Sequence, residues 1–426
     1  MAGHGVGAVT ALLAAIDGGA RLWEQDGLWS SSRIHRYYRW RWPFRAATAL
    51  LTLLACAVLI PVLVALAGAA AYGLAFLLSL LGAGAGTTLA ADVAGWLGWV
   101  FAGPQLPTLV PRLVMALLLV LVAVLVGAVW LARPPRAGLA RTARGRWWWR
   151  LVGAPLDPKP LREACASMVW DLLKGAAAGK RPDVAGMSRR YVDVLTENLD
   201  QPAFRELMVA ACDIDARHDL VGAVLREPSR PSFVASRPGR ERAAEAIDLA
   251  GAGRELLFDL LGGALTPPTG VEPAPLTFPG DGFWRGETHR VTDRPGLLGR
   301  LLFELAEVGV EQVIVVSASA PALAAHRLSS PAFDPRARLG EALDAAESAA
   351  CTEALQIAAL RFDGVFVIRP AHNVAGPFDF ADARDEASDR DRSLRDLQQQ
   401  GYEEAYHQFV EPVVGASGEL LFPVRP

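Results

Sequence analysis

The feature that most constrains this chain is a run of 37 residues without a charged side chain, at positions 46 to 82. An α-helix needs about 20 apolar residues to cross the hydrocarbon layer of a bilayer, so this run is long enough to span it. A second apolar run, at positions 111 to 132, has close to the required length. The segment between the runs, 89–109, has tryptophans and two prolines, which predicts an interfacial loop. We therefore predict a transmembrane hairpin of two helices, at about 46–72 and 111–132.

Arginine and aromatic residues border both apolar runs. The positive-inside rule places such flanks in the cytoplasm. Because both flanks are positively charged, the chain must cross the membrane an even number of times, and two is the simplest number. We therefore expect a multi-pass protein of the cell membrane with both flanks cytoplasmic. The arginines before the first run and after the second are Arg33, Arg36, Arg39, Arg41, Arg45, Arg133, Arg136, Arg141, Arg144, Arg146 and Arg150.

Two other interpretations of these segments are open. The apolar runs could form a buried helical pair in a soluble core, and the basic flanks could contact nucleic acid. Arginines and aromatics that adjoin apolar spans are typical of membrane anchors, however. We therefore expect membrane lipids as partners, an unidentified protein partner as a further possibility, and no nucleic acid.

The remaining composition limits the chemistry. Four cysteines are widely scattered, without a CxxC pair, and the seven histidines form no local metal pair. This pattern favours reduced thiols in a cytoplasmic setting over disulfides or a zinc site. We expect no metal and no cofactor. The beginning of the chain has no signal-peptide pattern.

From about position 160, apolar strand-like runs alternate with helical runs, among them 187–199 and 296–309. Buried strands are predicted at 206–214, 311–319 and 364–371. This alternation predicts an α/β fold with a mainly parallel sheet flanked by helices. Polar residues at the carboxyl ends of such strands are candidate site residues. Those residues are Asp213, Asp215, Ser317, Ser319, His372 and Asn373.

An ordered set of motifs suggests a family. The segments "ELMVAACDIDARHDLVGAVL", "DGFWRGETHRVTDRPG", "VEQVIVVSAS" and "GYEEAYHQF" follow one another between positions 206 and 409. In this order they resemble patatin-like phospholipases, which are serine acyl hydrolases of lipids. The resemblance implies that residues 1–32 and 151–426 form one cytoplasmic α/β domain, into which the hairpin region 33–150 is inserted.

The amino-terminal "GHGVG" resembles the family's nucleophile motif, Gly-x-Ser-x-Gly, a strained turn from a strand into a helix. Gly3, His4, Gly5 and Gly7 would form this elbow, with Gly5 at the position of the serine. Glycine has no side chain, so it cannot be a nucleophile. The alternative is a glycine-rich amino terminus unrelated to that motif.

The family's catalytic base is the aspartate of an Asp-Gly pair. Its counterpart is either Asp281, followed by glycine, or Arg285, which cannot accept a proton. The segment "TDRP" resembles the Asn-x-Pro turn that follows in the family and contributes Asp293. Asp281 and Asp293 are the candidate catalytic residues.

Three functions follow from these observations. The leading hypothesis is a membrane-anchored, catalytically degenerate patatin-like protein that binds lipid or a partner at the cytoplasmic face. The second is an active lipid acyl hydrolase with another nucleophile or with residues upstream. The third is a glycosyltransferase in which Asp213 and Asp215 hold Mg²⁺ or Mn²⁺, because these ions prefer oxygen ligands.

Overall fold

The computed structural model describes residues 1–24, 27–30, 37–82, 84–131, 154–175, 179–234, 244–268, 270–280, 283–318, 335–370 and 394–414. The chain forms two compact units. One consists of Met1–Arg39 together with Leu156–Pro426, and the other is Trp40–Pro155. In chain order, the second unit therefore interrupts the first.

The interrupting unit is helical, with α3 (Trp42–Leu80), α4 (Ala85–Val100) and α5 (Leu106–Leu131). Two stretches, Trp42–Leu80 and Leu106–Ala128, are long and apolar enough to cross a membrane. Only 6% and 0% of their most apolar windows are buried, so their apolar side chains face outward. A core helix of a soluble protein shows the opposite arrangement. These features fit a membrane-associated protein.

The segment between the two spans was predicted to be an interfacial loop, but most of it forms α4. This helix runs antiparallel to α3, since Gly86 lies against Ala75 and Ser79 whereas Leu97 lies against Gly68. A β-carbon on Gly86 would lie 2.5 Å from the Ser79 nitrogen, so the two backbones are in close contact. The loop prediction was wrong because backbone groups in an apolar environment are satisfied best within a helix.

The first unit is an α/β body. Its strands are β1 (Ala2–Gly3), β3 (Leu156–Asp157), β4 (Leu207–Asp213), β5 (His218–Val224), β6 (Ala244–Asp248), β7 (Ala274–Thr277), β8 (Thr288–Thr292), β9 (Gln312–Val316) and β10 (Gly364–Ile368), and β2 (Arg39–Trp40), which pairs with β3, lies at its boundary. Its helices are α1 (Val6–Asp17), α2 (Ala20–Trp23), α6 (Lys159–Leu173), α7 (Val184–Asn198), α8 (Ser229–Val234), α9 (Leu257–Ala264), α10 (Leu297–Glu307), α11 (Pro335–Arg361) and α12 (Leu394–Ala405), followed by a π-helix (Tyr406–Val414).

The main sheet has six strands in the order β6-β5-β4-β8-β7, and β1 pairs with β4. It is mixed, whereas the sequence predicted a mainly parallel sheet. Pairs β4–β5, β4–β8 and β7–β8 are antiparallel, and only β1–β4 and β5–β6 are parallel. The physical reason is the connections: β4 and β5 are joined by four residues, 214–217, too few for the crossover that a parallel pair needs. The strands β9 and β10 form a separate parallel pair.

Helices cover both faces of the sheet at β4. Successive side chains of a strand point to opposite faces. Accordingly Leu207, Val209 and Ala211 join a core with α1, α6, α7 and α9, while Met208 and Ala210 join a second core with α8 and α10. The strand is therefore apolar up to Asp213, its last residue, as the sequence predicted, and helices flank the sheet on both sides.

Candidate functional site

The candidate site forms where two chain segments meet on one edge of β4. The strand β1 pairs with Met208 and Val209, and β8 pairs with Cys212 and Asp213 from the opposite direction. Both segments leave the sheet near the middle of β4. This shared edge brings the amino-terminal "GHGVG" turn next to the "TDRP" turn.

Gly5 is the residue at which β1 turns into α1. It has φ 55° and ψ −137°, a left-handed conformation that strains any residue with a side chain. The turn thus has the strand–turn–helix form and the strain that a nucleophile elbow requires. No side chain is present at its tip.

The carboxylate of Asp293 faces this turn. Its Oδ2 atom lies 2.7 Å from the position of an ideal β-carbon on Gly5. Its Oδ1 atom lies 3.2 Å from Nδ1 of His4, and both side chains are 18% exposed. Because Gly5 precedes the first turn of α1, the carboxylate also lies at the positive end of that helix dipole.

The charge of Asp293 perturbs His4. Burial would lower the pKa of His4, but the hydrogen bond to Asp293 and the negative charges of Asp293 and Glu347 outweigh burial and raise it. Glu347 belongs to α11, so residues from three separated parts of the chain form the site. A protonated His4 donates to Asp293 and keeps its carboxylate turned towards Gly5.

Two further contacts hold the "TDRP" turn in place. The backbone N–H of Asp293 donates to the carbonyl of Thr266 at 2.8 Å. The guanidinium of Arg294 forms two hydrogen bonds with the buried Asp219 of β5, at 2.7 Å and 2.6 Å. This bidentate pair raises the pKa of Arg294, chiefly through its hydrogen bonds to Asp219. The turn that carries Asp293 is therefore fixed on both sides.

Gly3 and Gly7 of the elbow differ in whether the structure leaves room for a side chain. A β-carbon on Gly3 would overlap the backbone of Gly7, so only glycine allows β1 and α1 to approach this closely. A β-carbon on Gly7 would meet no atom within 4 Å. The close approach thus depends on Gly3, and Gly7 is sterically unconstrained.

This arrangement can accept a proton but cannot attack a substrate. Asp293 supplies a partly exposed carboxylate, while the residue that it faces offers only hydrogen atoms on its α-carbon. Acyl transfer through a covalent intermediate needs a nucleophile within hydrogen-bond reach of the base. Position 5 lacks one.

The Asp213-x-Asp215 pair lies elsewhere, at the β4–β5 turn. Asp213 is fully buried, and it accepts hydrogen bonds from the backbone of Asp215 and Ala216 and contacts Nδ1 of His289 at 2.5 Å. Asp215 accepts from the backbone and the guanidinium of Arg290, which lowers its pKa. Both carboxylates therefore have protein donors, an arrangement that favours a structural role in the turn.

Of the other predicted site residues, Asp281, Ser319, His372 and Asn373 lie outside the described residues. Ser317 directly follows β9, and its Oγ lies 3.9 Å from Sγ of Cys351. In the part of the chain that the structure describes, no group of three or more His, Cys, Asp or Glu side chains is placed to hold a metal ion.

The sequence did not indicate the residues that fix the site. Asp219 and Arg294 belong to segments quoted above, but no spacing in the sequence predicts their pairing, and Thr266 and Glu347 belong to none of those segments. The proline after Arg294 was the one available signal of a rigid turn. Compared with protein-family models and with curated proteins, the chain matches none.

Proposed function

We propose that this chain is a membrane-anchored patatin-like protein that has lost its nucleophile and binds lipid or a protein partner at the cytoplasmic face of the membrane. The observation that carries the proposal is the position of Asp293, 2.7 Å from where Gly5 would bear a β-carbon. A base directed at an elbow is the arrangement of a serine acyl hydrolase. With glycine at the tip, the site can still bind a ligand but cannot form a covalent intermediate with it.

The helical unit supports membrane anchoring. Its long helices expose large apolar side chains such as Leu63, Leu66, Leu119 and Val122, each more than half exposed. Such a surface is unstable in water but matches the hydrocarbon layer. The close contact of Gly86 with α3 is typical of helix pairs in membranes, where small residues let backbones approach.

The arginines on both sides of the helical unit support the orientation. Positive flanks stay in the cytoplasm, so the proposal places the α/β unit on the cytoplasmic side of the membrane. Membrane lipids are then candidate ligands. The α/β unit consists of residues from both sides of the insertion, which requires the chain to return to its starting compartment.

An activity-based label tests the loss of catalysis. Purified full-length protein is treated with a serine-reactive fluorophosphonate and, in parallel, with short-chain acyl esters. We expect neither labelling nor hydrolysis. A labelled wild-type protein would favour the active acyl hydrolase, since that alternative needs a nucleophile other than position 5. Metal-dependent turnover of a sugar nucleotide that is lost in Asp213→Asn would favour the glycosyltransferase.

Cysteine labelling tests the orientation. In a background without native cysteines, we expect Gly82→Cys, at the end of α3, to react with a membrane-impermeant maleimide on intact cells. Glu24→Cys and Asp200→Cys should react only after permeabilisation. Opposite accessibility of Glu24→Cys and Asp200→Cys would contradict the proposal, because both positions belong to one folded unit.

A further inference from the structure

A groove of about 630 Å³ lies beside the second, smaller sheet of the α/β unit, between α11, β10 and the π-helix. Its α11 wall consists of Thr352, Leu355, Gln356 and Ala359. Spacings of three and four residues put these side chains on one face of the helix. The volume is in the range of sites that hold small organic ligands.

The opposite wall contributes a single charged group. Arg369 follows β10 and lines the groove together with Val367 and Pro370. None of the described lining residues is acidic. The Arg369 guanidinium contacts Sγ of Cys351 at 3.3 Å, and its buried Nε has no hydrogen-bond partner.

Gln408 of the π-helix fixes the backbone at this arginine. Its side-chain oxygen accepts from the Arg369 N–H at 2.9 Å, and its amide nitrogen donates to the Arg369 carbonyl at 2.7 Å. The position of the guanidinium is therefore set by the backbone and by the thiol. No ion pair to Arg369 is formed within the described residues, so its charge is uncompensated there.

The apolar part of the lining consists of Leu355 and Ala359 on α11 with Val367 and Pro370 on the opposite wall. One cation beside this apolar lining matches a ligand with one negative charge and a long apolar tail.

We infer that this groove binds a long-chain carboxylate, with its head group at Arg369 and its acyl chain along α11. The inference rests on the proposed function, since it gives the lipid ligand a chemical class and a place in the fold. Arginine pairs well with carboxylates and phosphates alike. A single guanidinium balances a carboxylate, whereas a phosphate monoester carries about 1.5 to 2 negative charges.

A photoreactive fatty acid tests the inference. Full-length protein in phosphatidylcholine nanodiscs is irradiated with a diazirine-bearing palmitate, and the adducts are located by mass spectrometry. We expect adducts within 352–361 and 406–411. Arg369→Gln should lower the yield of these adducts about tenfold, because the ligand loses one hydrogen bond to a charged group. The matched control, Arg226→Gln, removes an exposed arginine paired with Glu206 and should leave them unchanged.

A second variant blocks the groove without changing charge. Ala359→Trp should fill the groove and reduce the adducts, whereas Ala346→Trp, at an exposed position of the same helix outside the groove, should not. Palmitate should compete better than hexadecyl phosphate, and the diazirine analogue of hexadecanol should label without dependence on Arg369.

Several results would overturn the inference: adducts confined to 42–131, groove adducts unchanged in Arg369→Gln, or equal competition by the phosphate. The proposed function fails by a separate result, fluorophosphonate labelling of the wild-type protein. That labelling would not change where the fatty-acid adducts form, so the two failures are distinguishable.

Discussion

The Oδ2 atom of Asp293 lies 2.7 Å from the place where a β-carbon on Gly5 would be. A carboxylate at this distance would overlap a β-carbon at position 5 and would have to shift to admit one, and the residue there has none. His4 and the Thr266 carbonyl hold the Asp293 side chain and backbone in place. The turn therefore keeps a base in position without a group to activate.

A hydroxyl introduced at this turn should be reactive. We expect Gly5→Ser to become labelled by a fluorophosphonate, because the end of the Asp293 side chain can shift to make room for the new β-carbon and the serine oxygen would then lie within hydrogen-bond reach of the carboxylate. The gel-fluorescence signal of the labelled protein measures the effect. Gly7→Ser is the matched control, since a side chain there meets open space and no base.

The labelling should depend on the carboxylate. In a Gly5→Ser, Asp293→Asn double variant, we expect the labelling rate to fall by about two orders of magnitude, the usual contribution of a general base. Folded Gly5→Ser protein that remains unlabelled, or a double variant that labels at an equal rate, would contradict the proposed roles of Gly5 and Asp293.

The close approach of β1 to α1 should make Gly3 intolerant of substitution. Gly3→Ala places a methyl group on the backbone of Gly7, and such overpacking costs about 1 to 3 kcal/mol of unfolding free energy. Thermal unfolding in detergent micelles measures the loss. Gly7→Ala should be neutral or stabilising, because it meets open space in a helix. Equal stability of the two variants would show that the elbow is loosely packed.

The raised pKa of His4 predicts a pH-dependent contribution to stability. Protonated His4 stabilises the folded state fully below its ordinary pKa of 6.5, and this stabilisation is lost as the pH rises through the higher folded-state pKa. The stability difference between wild type and His4→Gln should thus be larger at about pH 5.5 than at about pH 8.5.

Thermal unfolding midpoints across this pH range measure that difference. His407→Gln serves as a control, because His407 is 69% exposed and lies far from Asp293 in the chain. A wild-type minus His4→Gln difference that is constant with pH would mean that His4 contributes through packing alone.

The glycine contact between α3 and α4 predicts a specific weakness in the helical unit. Gly86→Leu should lower the thermal stability in micelles, because its β-carbon would lie 2.5 Å from the Ser79 nitrogen and 2.7 Å from the Ala75 carbonyl oxygen. Gly95→Leu, on the same helix, meets open space and should have little effect. If both substitutions lower the stability equally, the cause is the replacement of a helical glycine and not a clash between α3 and α4.

Local patterns in the sequence predicted much of the fold. The apolar runs of α3 and α5, the strands β4, β9 and β10, and the helices α7 and α10 follow from composition and periodicity within single segments. The mixed pairing did not follow, because antiparallel or parallel pairing depends on connections such as 214–217 and on strands as short as β1. The helix α4 was missed because its glycines and tryptophans also suit a loop.

The sequence by itself determined that position 5 has no nucleophile, since that depends on the identity of one residue. It named both Asp281 and Asp293 as candidate catalytic residues. Only the tertiary structure showed that the carboxylate of Asp293 faces Gly5, while Asp281 lies outside the described residues. The physical reason is that β1 and β8 share one edge of β4 from opposite directions, and this long-range register of backbone hydrogen bonds has no signature in either segment alone.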